Sequence, residues 1–183
     1  MKDEKYVCPA SCSGSLDNFI RKIIHSPKKI FRNYIREGMT ILDAGCGPGF
    51  FTIEFANMCG ENGMVIAADL QEEMLDKVRK KITGKEIEKK ITLHKCGKDK
   101  IGLGKKVDFV NAFYVVHEVP DTEKFLKEIY TLLNDGGILF LSEPKFHVSK
   151  KEFNETINLA IASGFKLKEQ PKIYMSRTAV FEK

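Results

Sequence analysis

Asp43 ends the apolar run Ile41-Leu42 and opens onto Ala44-Gly45-Cys46-Gly47-Pro48-Gly49-Phe50. Glycines in such a turn let the backbone approach a ligand closely, and a helix that starts at once turns its unpaired N–H groups toward it. The spacing is G-x-G-x-G, not the G-x-G-x-x-G of dinucleotide sites. A carboxylate at Asp43 suits a ligand ammonium group and repels a pyrophosphate. This favours a cationic, amino-acid-bearing nucleoside over a dinucleotide. A second carboxylate, Asp69, closes the apolar run Val65-Ile66-Ala67-Ala68 and follows Gly45 by 24 residues. That is near the roughly 20 residues that separate a glycine turn from a ribose-binding acid.

His117, Glu118, Glu143 and His147, with Tyr114 beside them, follow the next two apolar runs. Open α/β sheets hold ligands at the ends of such strands, and a histidine with an ordinary pKa near 6.5 can take a proton there. Cysteines lie at positions 8, 12, 46, 59 and 96. Cys8 and Cys12 can offer thiolates to a soft metal or metalloid, but the spacing is not that of paired C-x-x-C zinc sites. The simplest reading of all five is reduced thiols, with no metal site and a cytoplasmic location.

The elements that must position these groups follow from pattern. Leu16, Phe19, Ile20, Ile23 and Ile24 share one helical face. Ser26-Pro27 reads as an N-cap with proline at the first helical position, opening a second helix that ends near residue 36 before Gly38. Strands are predicted at 40–44, 64–69, 91–94, 107–113 and 138–142, the last wholly apolar. Helices are predicted at 50–58, 72–82 and from a cap at Asp121 to residue 133. Asn134-Asp135-Gly136-Gly137 stops that helix, and Ser149-Lys150-Lys151-Glu152 has the spacing of a capping box for one more, to residue 162. Runs 164–169 and 173–182 are joined too closely for a parallel crossover and must form an antiparallel hairpin. Alternating strands and helices make a doubly wound α/β fold, mostly parallel, with helices on both faces.

The 183 residues suit one domain, divided as an N-terminal extension over 1–37 and a ligand-binding domain over 38–183. No run is long and apolar enough to span a membrane. The formal charge of +5 is uneven: residues 38–76 hold seven acidic and no basic side chains, whereas 77–106 hold twelve basic and three acidic ones. The basic block contains a single arginine, Arg79, and no Phe, Tyr or Trp. Nucleic-acid surfaces favour arginine and stacking aromatics, so this charge argues weakly for polyanions.

The motifs LDAGCGPG, AADL, FVNAFYVVHEVPD and LLNDGGIL, with the terminal hairpin, resemble a class I S-adenosylmethionine-dependent methyltransferase of the type 11 kind. The resemblance covers about residues 38–183 and implies a seven-stranded sheet ordered 3-2-1-4-5-7-6. It implies S-adenosyl-L-methionine as cofactor, its methionine part held by Asp43 and the backbone of Ala44, Gly45, Cys46, Gly47 and Gly49. Asp69 would bind the ribose, Leu70 and Met74 would flank the adenine with Cys96 and Gly97 at its edge, and Asn111 would lie near the sulfonium. Relatives often carry an acid after the third strand; here Asp99 or backbone atoms take that place. The fourth strand ends Asn111-Ala112-Phe113-Tyr114, without the Pro-Pro of base-amino methyltransferases. The expected reaction is methyl transfer to a small molecule, with His117, Glu143 and His147 as the catalytic candidates. The extension over 1–37 would fold across the cofactor as a lid, and a second subunit in a homodimer would complete the pocket. Rivals are a methyltransferase acting on protein or RNA, and a non-catalytic cofactor-binding protein.

Overall fold

The computed structural model describes residues 26–183. The predicted helix over 16–24, Cys8 and Cys12 lie outside them. A short helix, α1 (Pro27–Phe31), leads into β1 (Thr40–Ala44), α2 (Thr52–Met58), β2 (Met64–Asp69) and α3 (Glu72–Ile82). Then come β3 (Ile91–Lys95), β4 (Val107–Phe113), α4 (Thr122–Leu132), β5 (Leu133–Pro144), α5 (Lys150–Ala162), β6 (Lys166–Glu169) and β7 (Ser176–Glu182). The seven strands form one sheet in the order β3-β2-β1-β4-β5-β7-β6. All neighbours are parallel from β3 to β5, and β7 runs antiparallel to both β5 and β6.

Strand periodicity sorts the core into two layers. Leu42, Ile66, Val110, Leu139 and Phe181 face α4 and α5, where Leu126, Ile129, Phe153 and Ile157 meet them. Their chain neighbours Ile41, Val65, Phe109, Phe140 and Val180 face α1, α2 and α3. On that side Phe31 is fully buried and meets Phe55 and Phe140 at centroid distances of 4.9 and 4.7 Å. Burial on both faces explains why the central strands read as unbroken apolar runs.

Local chemistry sets most helix starts. Asp121 accepts the Lys124 N–H, and Ser149 with Glu152 makes both bonds of a capping box. Ser26 makes no side-chain cap bond, and α1 is shorter than predicted. The N–H groups of Tyr34 and Ile35 both bond the Phe31 carbonyl, which ends the regular ladder there. The Asn134–Gly137 stretch also departs from the prediction. Val107 pairs with Leu133 and Phe109 with Ile138, so residues 134–137 bulge out of a strand that continues on both sides. The Gly136 N–H and Gly137 carbonyl pair with the backbone of Lys183.

Part of the basic block is absorbed by the fold. Lys81 donates to the Pro48 carbonyl, Lys90 to those of Ala56 and Gly60, and Lys106 to that of Thr131. β3 lies at an edge of the sheet, where lysines discourage pairing with another chain. Among the described residues no helix is long and apolar enough to cross a membrane.

Candidate active site

A cleft of about 780 Å³ opens at the C-terminal ends of β1, β2 and β4. Asp43, 1% exposed, lies at its floor. Thr52 Oγ1 donates to Asp43 Oδ2 at 2.6 Å and Asn111 Nδ2 donates to Oδ1 at 2.8 Å, fixing the carboxylate. The amide oxygen of Asn111 is buried without a hydrogen-bond partner. A buried acceptor left unsatisfied costs about 1–3 kcal/mol, and an ammonium group carries three donors. The pair Asp43 and Asn111 therefore fits a cationic nitrogen.

At the end of β2, Asp69 accepts the Gly47 N–H through Oδ2 and the Gln71 N–H through Oδ1, both at 2.8 Å. About half of its four lone-pair positions remain for hydroxyl donors. Burial pushes its pKa above the ordinary value, against the pull of the Gln71, Gly47 and Leu70 N–H groups and of the Lys95 charge.

The glycine turn is tied to the same strand end. The N–H groups of Gly45 and Cys46 both donate to the Ala68 carbonyl. At Gly45 φ is +67°, and a Cβ there would lie 2.5 Å from Val115 Cγ2. At Gly47 a Cβ would meet nothing within 4 Å, which leaves an open backbone edge. Gly49 does not line the cleft; its missing Cβ makes room for Val78 of α3. The other eleven residues singled out for the cofactor do line it: Asp43, Ala44, Gly45, Cys46, Gly47, Asp69, Leu70, Met74, Cys96, Gly97 and Asn111.

One wall is the loop from Cys96 to Ile101, Asp99 included. His94 Nε2 donates to the Ile101 carbonyl at 2.7 Å, and the Glu128 carboxylate accepts the N–H groups of Ile101 and Gly102. Burial, helped by the Asp69 charge, pushes the Cys96 thiol up to about 12. Burial and the Asp43 charge push the Cys46 thiol well above its ordinary value. Both line the site as neutral thiols rather than as thiolate nucleophiles. Among the described residues no group of three His, Cys, Asp or Glu is placed to hold a metal ion.

A further part of the lining is apolar and was largely missed in the sequence. Phe113, Tyr114, Val115, Val119 and Phe125 line it, with Glu118 among them. In sequence these residues read as core; position at the end of β4 marks Phe113, Tyr114 and Val115, and nothing local marks Val119 or Phe125. Tyr114 adopts φ +65°, rare for a non-glycine residue. Its N–H donates to the Ser142 carbonyl, and its hydroxyl shares a 2.6 Å hydrogen bond with Ser176 Oγ.

His117, Glu143 and His147 come together behind this wall and do not themselves line the cleft. Glu143 is 1% exposed; its Oε1 accepts the Val116 N–H at 2.9 Å and its Oε2 pairs with His117 Nδ1. The His117 and His147 rings stack with centroids 5.7 Å apart. His117 Nε2 lies 4.0 Å from Glu118 Oε1.

Residues 35–177 match the family model described as a methyltransferase domain. A demethylmenaquinone methyltransferase of Lactobacillus johnsonii is 38% identical over 147 residues, which cover 76% of this chain and 56% of that protein. A ubiquinone/menaquinone biosynthesis C-methyltransferase of Klebsiella pneumoniae is 29% identical over 110 residues, covering 60% of this chain and 44% of that protein. The chain thus spans about half the length of these relatives. The crystal structure of a SAM-dependent methyltransferase from Aquifex aeolicus superposes with a TM-score of 0.85 at 26% identity, covering 96% of this chain and 98% of that one. The fold, the strand order and the family match agree: this chain belongs to the class I S-adenosylmethionine-dependent methyltransferases.

Proposed function

We propose that this chain transfers a methyl group from S-adenosylmethionine to a small apolar acceptor of the quinol class. The observation that carries this reading is the division of the cleft. Asp43, Asn111 and Asp69 present acceptor oxygens to it, and Phe113, Tyr114, Val115, Val119 and Phe125 present apolar surface. Its volume of about 780 Å³ is in the upper part of the roughly 300–1,000 Å³ range of small-molecule sites, room for two partners. The names of the two curated relatives support a quinone-type acceptor.

When bound, S-adenosylmethionine supplies an electrophilic methyl group on a cationic sulfonium. The chain's own residues bind and orient. Asp43 and the Asn111 amide oxygen receive the ammonium of the methionine part, and Asp69 receives the ribose hydroxyls. Leu70, Met74, Cys96 and Gly97 flank the adenine. The apolar wall excludes water and sets the acceptor against the methyl group, where alignment supplies most of the acceleration. Lysine ammonium groups bonded to backbone carbonyls support a small acceptor over a polyanion. Three free thiols at Cys46, Cys59 and Cys96 support a reducing compartment such as the cytoplasm.

Calorimetry with S-adenosylhomocysteine, followed by turnover on reduced demethylnaphthoquinones of short side chain, tests both halves. Binding and a product heavier by one methylene are expected. No heat with S-adenosylhomocysteine overturns the cofactor assignment; binding without methylation of any quinol overturns the acceptor class.

A further inference from the structure

We infer that Glu118 takes the proton that the acceptor loses, and that His117, held by the buried Glu143, carries it out of the cleft. This rests on the methyl-transfer reading above. Of the carboxylates lining the cleft, Asp43 and Asp69 are fixed at the polar end and Asp99 sits on the loop after β3. Asp121 accepts the Lys124 N–H as the cap of α4. Glu118 lines the cleft with Val115, Val119 and Phe125, the apolar side chains proposed to receive the acceptor.

Behind Glu118 the geometry is that of a proton relay. Glu143 faces His117 Nδ1, so the ring keeps its proton on Nδ1 and Nε2 is the basic nitrogen. That nitrogen is 4.0 Å from Glu118 Oε1, a gap closed by a small side-chain rotation or by one water. The His117 side chain is 25% exposed, which gives the proton a route to solvent. Stacking on His147 and the Val116 N–H bond to Glu143 hold the ring and its partner in place.

The step balances without an oxidant or reductant. The acceptor atom keeps the electron pair of its X–H bond as it gains the methyl group, and the pair of the broken C–S bond stays on sulfur. The proton passes to Glu118, then to His117 Nε2, where the Glu143 carboxylate stabilises the imidazolium. Water then removes it. Glu143 touches no substrate and acts as a positioning residue.

Glu118→Gln and Glu143→Gln in the whole chain test this by turnover and by ¹⁵N spectra of the imidazoles, with His117→Gln to assign the signal. Glu118, Glu143 and His147 are among the groups that face His117. Glu118→Gln is expected to lower kcat about 10²–10⁴-fold with S-adenosylhomocysteine affinity unchanged, and to remove the acid limb of its pH profile. It should also lower the titration midpoint of His117, and Glu118→Asp should restore part of the rate. Glu143→Gln should mix the two His117 tautomers. A His117 titration unmoved by Glu118→Gln, or a kcat retained at every pH, overturns the relay. A wild-type chain that binds S-adenosylhomocysteine but methylates no quinol overturns the acceptor class instead, and the His117 titration still decides the relay.

Discussion

The Asp69 carboxylate accepts the Gly47 N–H at 2.8 Å, so the acid at the end of β2 is tied to the glycine turn after β1. Asp69→Ala should therefore do more than remove a ribose contact. Hydrogen bonds to a charged group contribute about 1.5–3 kcal/mol each, so two lost to the ribose weaken cofactor binding at least 100-fold. The Gly47 N–H is orphaned as well, and hydrogen exchange of that amide should accelerate. Calorimetry with S-adenosylhomocysteine reads the first effect; unchanged affinity would show that the ribose lies elsewhere.

The same carboxylate makes binding pH-dependent with a definite sign. Burial raises its pKa above 3.8, and hydroxyl donors need the ionised form. Affinity should hold above the raised pKa and fall as pH drops through it, starting at a higher pH than an exposed aspartate allows. Folding responds with the opposite sign. A carboxyl whose folded pKa is raised stabilises the ligand-free fold below its unfolded value and loses that contribution as pH rises through the folded one. Asp69→Ala should remove both dependences, which calorimetry and thermal unfolding between pH 4 and 7 would check.

Glu128 is the clamp on the loop from Cys96 to Ile101, through the N–H groups of Ile101 and Gly102. Glu128→Ala leaves α4 its buried face of Leu126, Ile129 and Leu132, so the fold should persist. The loop should loosen and cofactor affinity should fall about 10-fold, less than the full worth of two carboxylate bonds because Glu128 does not itself line the cleft. Faster exchange at the Ile101 and Gly102 amides would locate the effect; equal protection in the variant would refute the clamp.

This clamp shows where sequence reasoning stops. β1, α3 and β4 begin and end where the apolar runs and their turn residues predict, because local pattern alone decides them. The polar half of the cleft was legible for the same reason: Asp43, Gly47 and Asp69 sit at strand ends. Gly49 was assigned to the ligand; it adopts φ +84° and a Cβ there would lie 3.0 Å from Val78 Cγ2, 29 positions away, a contact no local pattern announces. Asn134–Gly137 reads as a stop, yet its backbone finds partners in Lys183. The apolar wall of Val115, Val119 and Phe125 has no local signature, since residues that line a cleft and residues that fill a core are the same types.

Phe31 tests whether the segment before β1 belongs to the core. Its ring is fully buried, edge-on to Phe55, Phe109 and Phe140. Phe31→Ala should cost about 3–5 kcal/mol. At roughly 2–4 °C per kcal/mol for a domain of this size, Tm should fall by about 6–20 °C. A shift below 2 °C in a thermal melt would mean that α1 contributes little to the folded state.

Gly45 and Val115 join the two halves of the cleft. A Cβ at Gly45 would lie 2.5 Å from Val115 Cγ2 and 2.9 Å from Val115 Cβ, and the φ of +67° adds backbone strain for any other residue. Gly45→Ala must push the loop after β4 outward, carrying Val116 from Glu143 and Tyr114 from Ser142. Overpacking costs about 1–3 kcal/mol, so Tm should fall by about 2–12 °C, with a larger loss in turnover as the apolar wall shifts. Val115→Gly in the same chain removes both contacting atoms and leaves only the φ strain. The double variant should regain part of the lost Tm, a non-additivity confined to residues in contact. Strictly additive losses would mean that the two positions do not press on each other and that the glycine serves its dihedral angle alone.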